Sequence, residues 1–175
     1  MDSNNQADRT KRLITAASMI IGVVLLIFVV LAFFLNSGDV SDDVAIISAG
    51  QTEVARVADI AKDHDSASAS TKRFSATLSA VATSYTVELK AVTGGDQVDE
   101  DLIAKYVDEN ADTLLESASK VNEFNKTFAQ IMKLKLNATL DALTAIQSKF
   151  SGDEKVIIDA MVEDYTELSQ SLQSI

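Results

Sequence analysis

The segment FSATLSAVATSYTVELKAV, residues 74–92, carries the most regular apolar pattern in the chain. An α-helix has about 3.6 residues per turn, so residues that recur every three or four positions lie on one face of a helix. The segment follows that rule and predicts an amphipathic helix whose apolar face packs on other helices. The apolar positions are Phe74, Leu78, Val81, Tyr85, Leu89 and Val92.

Turn signals bound this helix on both sides. Residues 63–70 form a short polar run before it, and Gly94 and Gly95 follow it directly. Paired glycines are strong turn signals because glycine adopts backbone angles that other residues avoid. These boundaries predict short connections to the neighbouring helices.

Upstream, residues 41–63 predict another amphipathic helix. Apolar residues recur at three- and four-residue steps from Val44 to Ala61, and Ser41 is a suitable N-cap for the first turn. Gly50 lies inside this segment, where glycine is less favourable than alanine by up to about 1 kcal/mol. We therefore expect either a bend or a close contact with another helix at Gly50.

Downstream, residues 99–150 are also helical in pattern. The apolar stripe of residues 114–150 predicts one helix of nearly forty residues. The acidic run 108–112 is a candidate break, so the pattern leaves open whether residues 99–150 form one helix or two. A turn at residues 151–153 and a regular apolar pattern over residues 157–175 predict a final helix.

The composition supports an all-α fold. The 175 residues include no proline and no cysteine, and only six glycines. Amphipathic helices joined by short connections bury their apolar faces against antiparallel neighbours. The sequence therefore predicts an antiparallel bundle of four to five helices over residues 41–175. A coiled-coil oligomer is the alternative, but each apolar seam lasts only three or four heptads, which favours a monomeric bundle.

A different kind of sequence precedes the bundle. The segment LITAASMIIGVVLLIFVVLAFFL, residues 13–35, has 23 residues and no charge. As a helix it would be about 35 Å long, which is enough to cross a hydrocarbon core of about 30 Å. We therefore predict a transmembrane anchor over residues 13–35, with a linker at 36–40. Residues that represent this anchor are Leu13, Ile20, Gly22, Leu26, Phe28, Phe33 and Leu35.

The flanks of this segment predict its orientation. Arg9, Lys11 and Arg12 precede it, and basic residues beside a membrane span stay on the cytoplasmic side. Residues 1–12 are then cytoplasmic, and the bundle lies outside the cytoplasm at the cell membrane. A cleaved signal peptide is the alternative, but its apolar core is usually about 7–15 residues long.

Two small residues inside the predicted anchor are spaced for helix packing. Ser18 and Gly22 are four positions apart, a spacing that allows a second membrane helix to approach closely. One such pair also occurs often by chance, so lipid-facing residues without a partner are the alternative interpretation.

The predicted bundle is strongly acidic. Residues 36–175 carry twelve Lys or Arg against twenty-four Asp or Glu, a net charge of −12. Phosphate binding needs clustered basic residues, so this acidic surface argues against nucleic acid as a partner. Besides the bilayer at residues 13–35, the predicted partner is another membrane or envelope protein.

The sequence offers no convincing catalytic, cofactor or metal site. The one histidine, His64, lies in a predicted loop and is interpreted as a solvated helix end. Asp108, Asn110 and Asp112 imitate the start of a calcium loop, but Thr113 replaces the glycine that the loop requires and Ser119 the final glutamate. We expect the remaining carboxylates to face water. The chain is therefore predicted not to be an enzyme.

Three hypotheses for function remain. The favoured one is a membrane-anchored, extracytoplasmic helical bundle that acts as a protein-interaction or scaffold module of the cell envelope. The second is a sensory or small-ligand-binding bundle that signals through a membrane partner, and a buried cavity between helices would favour it. The third is an accessory subunit of a larger membrane complex, held through Ser18 and Gly22.

Overall fold

The computed structural model describes residues 40–93, 104 and 107–175, and this part of the chain is all-helical, as predicted. It contains five α-helices and no strand. Short 3₁₀ turns follow the fourth and fifth helices at Gln147–Lys149 and Leu172–Ser174. The helices are α1 (Val40–Asp63), α2 (Ala69–Thr93), α3 (Glu109–Ser119), α4 (Phe124–Ile146) and α5 (Gly152–Ser171).

The predictions about the membrane anchor lie outside the described residues. They concern residues 13–35, the basic residues Arg9, Lys11 and Arg12, and the pair Ser18 and Gly22. Among the helices that the structure does describe, none combines the length and the apolarity that crossing a bilayer requires.

Four helices form the bundle, and neighbouring helices run antiparallel. Helix α2 returns along α1, with Ser79 of α2 bonded to Asp59 and Thr86 to Gln51 of α1. Helix α4 also runs against α1, since Lys149 follows α4 and bonds to Asp43 at the start of α1. Helix α5 contacts both α4 and α2. The cyclic order around the core is therefore α1, α2, α5, α4.

Helix α3 belongs to a long crossover connection. Because α2 and α4 run in the same direction, the chain between them must return along the length of the bundle. Helix α3 forms the last part of this return, packs on α4 and bonds to α1 through Asp112. A bundle with one long crossover is a known variant of four-helix topology.

The predicted continuous helix over residues 114–150 is wrong, because the chain turns at residues 120–123. The amide of Glu123 donates to the carbonyl of Ala118 at 2.9 Å, and Asn122 has a positive φ of 60°. Asparagine tolerates this left-handed conformation better than most residues. Val121 continues the apolar pattern but is 68% exposed, so it belongs to the turn and not to the core.

Substitutions at Asn122 test this turn. We expect Asn122→Ala to lower the free energy of unfolding by about 1 kcal/mol, because a Cβ without a polar side chain disfavours positive φ. Asn122→Gly should change it by less than about 0.5 kcal/mol. Urea unfolding monitored by circular dichroism measures both values. Equal stability of the two variants would contradict the left-handed turn.

The core is made of the apolar stripes that the sequence predicts. Phe74 of α2 meets Phe128 of α4 edge to face, with the ring centroids 6.4 Å apart. Edge-to-face pairs add to the hydrophobic stabilisation that comes from burial. The largest fully buried side chains are Leu78, Leu89, Leu115, Phe124, Phe128, Met132, Leu136, Leu143, Ile146, Ile158, Met161 and Tyr165.

Gly50 is not a close-contact position, contrary to one of the two expectations from the sequence. A Cβ added there would meet no atom within 4 Å. We expect Gly50→Ala to raise the free energy of unfolding by about 0.5–1 kcal/mol, because alanine loses less backbone entropy in a helix. Gly152→Ala is the matched control of opposite sign, because Gly152 has a φ of +62°. In thermal unfolding, Gly50→Ala should raise the unfolding temperature and Gly152→Ala should lower it.

Candidate functional site

Among the described residues, Glu53 and Lys135 form an ion pair in which both charged side chains are buried. The Lys135 ammonium on α4 donates to Glu53 Oε1 on α1 at 3.0 Å, and each side chain is only 6% exposed. Lys135 lies next to Leu136 on the apolar stripe of α4, which brings its ammonium inside the bundle. Ions that leave water at this depth are stable only when they are paired and hydrogen-bonded.

Three more residues extend this pair into a network. Asp108 Oδ2 lies 3.4 Å from the Lys135 ammonium, and Arg56 donates to Glu53 at 2.6 Å. Arg56 also donates to both carboxylate oxygens of Asp112, at 2.8 and 2.9 Å. We call Glu53, Arg56, Asp108, Asp112 and Lys135 the ion network. It joins α1, the start of α3 and α4.

The hydrogen bonds of the network hold Arg56 in its charged form. The bond to Glu53 raises the pKa of the Arg56 guanidinium, the bonds to Asp112 raise it further, and partial burial opposes both. Three carboxylates and two cations give the network a formal charge of −1. Because both cations are bonded to carboxylates, neither is available as a nucleophile or base. The same bonds hold the start of α3 against α1 and α4.

The network corrects the expectation that the carboxylates face water. Glu53 is buried, and Asp108 is only 13% exposed on its side chain. The sequence does contain a signal for Lys135. Lys135 comes three positions after Met132 and four after Ile131, and this spacing places it on the apolar stripe of α4. Its charge, however, favours the face of the helix that meets water.

A second buried ion pair lies at the end of the bundle where α1 begins. Asp43 is completely buried on its side chain, and Oδ2 accepts from the Lys149 ammonium at 2.6 Å. The other oxygen, Oδ1, has no hydrogen-bond partner among the described residues. This pair fixes the start of α1 against the chain that follows α4.

A polar layer crosses the middle of the core. Thr86 donates to Gln51 Oε1 at 3.1 Å, and the Gln51 amide lies 3.8 Å from the sulfur of Met161. Beside it, the Tyr85 hydroxyl donates to Asp164 at 2.6 Å. The Tyr165 hydroxyl is buried, and no hydrogen-bond partner for it lies in the part of the chain that the structure describes. Burial is the main cause that raises the pKa of both tyrosines, and Asp164 adds to it. Both hydroxyls therefore stay neutral at physiological pH.

The two tyrosines predict opposite effects of removing a hydroxyl. We expect Tyr165→Phe to leave the free energy of unfolding unchanged or raise it by up to about 1 kcal/mol, because an unpaired buried hydroxyl is lost. Tyr85→Phe should lower it by about 1.5–3 kcal/mol, because a hydrogen bond to a charged group is lost. Parallel urea titrations measure the difference. A larger loss for Tyr165→Phe than for Tyr85→Phe would contradict the assignment.

His64 is not simply a solvated helix end. Its ring stacks on Phe124 at the start of α4, with the centroids 4.2 Å apart and an interplanar angle of 18°. Its Nδ1 accepts from the amide of Ser66. Nearby, the Asn125 side chain accepts from the Ser68 amide and the Thr71 hydroxyl, both at 2.8 Å. These contacts fasten the α1–α2 turn to the start of α4.

The calcium-like pattern is the beginning of a helix. Asp108 Oδ1 accepts from the Asn110 amide as the N-cap of α3, and Asp112 lies in the first turn and bonds to Arg56. Over the described residues, no group of three or more His, Asp or Glu side chains has the geometry to hold a metal ion.

A groove lies between α4 and α5 at the end of the bundle opposite to Val40. Its volume is about 390 Å³, within the range of about 300–1,000 Å³ that is typical of binding pockets. The sequence does not single out this groove, because its two sides come from helix segments more than thirty residues apart. It is lined by Lys126, Ala129, Gln130, Lys133, Ser169, Leu172, Gln173 and Ile175.

The fold and these contacts define an all-α bundle with one crossover and a buried ion network. Comparison of the chain with known families, curated proteins and solved structures gives no match.

Proposed function

We propose that the protein is a membrane-anchored, extracytoplasmic helical bundle that acts as a protein-interaction or scaffold module. The observation that carries this proposal is the uncharged segment 13–35, which ends five residues before α1 begins at Val40. A segment of this length and apolarity is costly to leave in water and is well suited to a bilayer. The bundle then follows its anchor almost directly.

The position of the groove agrees with a scaffold role. Helix α1 has 24 residues and is therefore about 36 Å long. The Lys149–Asp43 pair at one end and the His64–Phe124 stack at the other show that α4 begins where α1 ends. The groove, near the start of α4, is thus far from Val40. An anchor that precedes Val40 would present this groove away from the membrane.

The chemistry of the buried polar groups supports recognition more than catalysis. The ion network and the Asp43–Lys149 pair use their charges to join helices, and Gln51 and Thr86 bond to each other in the core. A catalytic pair of carboxylates instead needs a shared cleft that separates the two pKa values. The binding surface that we assign to the protein is the open groove.

Protease accessibility in intact cells tests the anchor and its orientation. We expect external protease to digest the bundle, and the chain to stay in the membrane fraction after alkaline extraction. Replacing Arg9, Lys11 and Arg12 by Glu should protect a large fraction of the bundle, because the orientation signal is lost. The control replaces Lys120, Lys126 and Lys133 by Glu, which makes the same change of charge inside the bundle. Complete protection of the unmodified chain would overturn the proposal.

The third hypothesis, an accessory subunit, rests on Ser18 and Gly22 and has its own test. Gly22→Ile would block close approach of a second membrane helix. We expect it to dissociate an assembly held by the anchor, as measured by the size of the detergent-extracted complex. A chain that is monomeric before and after the substitution excludes this hypothesis.

A further inference from the structure

The groove between α4 and α5 differs in charge from the rest of the bundle. Lys126 and Lys133 lie along it on α4, seven positions apart and therefore on one face. Helix α5 carries six carboxylates over residues 153–167, but residues 168–175, which include the other side of the groove, have no charged side chain. The groove is thus a positive region on a domain whose net charge is −12.

Both lysines are available to a ligand. Lys133 is exposed and, among the described residues, forms no ion pair. Lys126 is paired with Glu123 at 3.0 Å, but the two side chains are 70% and 51% exposed. Exposed pairs of this kind contribute little stability, since water solvates the separated ions almost as well. An incoming carboxylate can therefore replace Glu123 at little cost.

The groove also offers apolar surface between these lysines. Leu172 is buried at its side, and Ala129 and Ile175 are partly buried there. Apolar contacts of this kind supply most of the affinity of a peptide site, whereas the surrounding charges supply specificity and the rate of association. Gln130 and Gln173 add amide groups that hydrogen-bond to a peptide backbone.

We propose that this groove binds an acidic segment of a partner protein, with its apolar side chains against Ala129 and Ile175 and its carboxylates at Lys126 and Lys133. Charge complementarity favours this occupant. An acidic segment is repelled by most of this acidic bundle and attracted to the two lysines of the groove, which favours docking there. A basic segment would bind the many carboxylates elsewhere. This inference rests on the proposed function in one respect: the proposed orientation determines on which side of the membrane the partner lies.

Selection from a random peptide library tests the groove. The full chain in nanodiscs of neutral lipid is panned against displayed peptides of twelve residues. We expect the enriched peptides to combine Asp or Glu with Leu, Ile or Phe. Their binding should fall about tenfold with Lys133→Glu and stay within about twofold with Lys133→Arg, because only the first reverses the charge.

The control variant is Lys120→Glu, which makes the same change at an exposed lysine outside the groove. We expect it to leave peptide binding within about twofold. Lys133 is exposed, so an unchanged circular dichroism spectrum will show that Lys133→Glu still folds. Enrichment of neutral or basic peptides, absence of enrichment, or equal loss with Lys120→Glu would each overturn the proposal. Peptide selection does not depend on which side of the membrane the bundle lies. Its failure would therefore contradict the groove proposal alone, whereas a failure of the protease experiment would contradict the anchor and its orientation.

Discussion

Replacing Lys135 by methionine is expected to lower the free energy of unfolding by about 3–5 kcal/mol. The substitution shortens the side chain by one atom and leaves Glu53 buried with Arg56 as the only cation bonded to it among the described residues. Asp108 also loses the ammonium that lies 3.4 Å from it. The loss of stability comes mainly from the buried carboxylates of Glu53 and Asp108, whose negative charge Arg56 alone compensates only in part. Urea unfolding followed by circular dichroism measures it.

Lys133→Met is the matched control for this prediction. It lies two positions away on the same helix but is exposed, so its effect should stay within about 0.5 kcal/mol. A double variant with Glu53→Gln and Lys135→Met should recover part of the loss, because the neutral amide is easier to bury than a carboxylate. If the two lysine variants are equally stable, Lys135 is not buried in the network.

Phe128→Ala is expected to lower the free energy of unfolding by about 3–5 kcal/mol. Phe128 is completely buried on α4 and contacts the ring of Phe74 on α2, across the centre of the bundle. The smaller side chain removes buried apolar area and leaves a cavity that the surrounding helices fill only in part. Calorimetry gives the change in unfolding temperature and enthalpy.

Val156→Ala provides the comparison for an apolar side chain at the surface. Val156 lies on α5 and is 67% exposed. We expect a change of less than about 0.5 kcal/mol, since little area is buried and alanine has the higher helix propensity. A loss of less than about 1 kcal/mol for Phe128→Ala would show that the core does not pack across α2 and α4 as described.

Much of the fold could be predicted from local sequence signals. Helices α1, α2 and α5 lie where apolar periodicity and polar or glycine-containing turns place them. The α3–α4 turn was missed because no glycine or proline marks it, and because Val121 continues the apolar spacing while pointing into solvent. Only Asn122 signals a left-handed residue there, and a single asparagine is too common to end a helix by itself.

The ion network and the groove were harder to predict, for different physical reasons. Glu53 and Lys135 are charged residues near apolar stripes, and only the approach of α1 to α4 shows that they neutralise each other. The groove lies between the start of α4 and the end of α5, and the periodicity of either helix does not show that these two segments meet. The charges and the apolar periodicity of a single helix are visible in its sequence. The ion network and the groove are each formed by two or three helices together, so the sequence of one helix does not reveal them.

The crossover between α2 and α4 also has a consequence for the order of folding. Ser79 and Asp59 of the α1–α2 pair are 20 residues apart, and Thr86 and Gln51 are 35 apart. Gln147 and Asp159 of the α4–α5 pair are 12 apart. Glu53 and Lys135 are separated by 82 residues. Local contacts form before distant ones because a smaller loop has to be closed. The two hairpins α1–α2 and α4–α5 are therefore expected to form first, and the pairing of α1 with α4 to complete the native state.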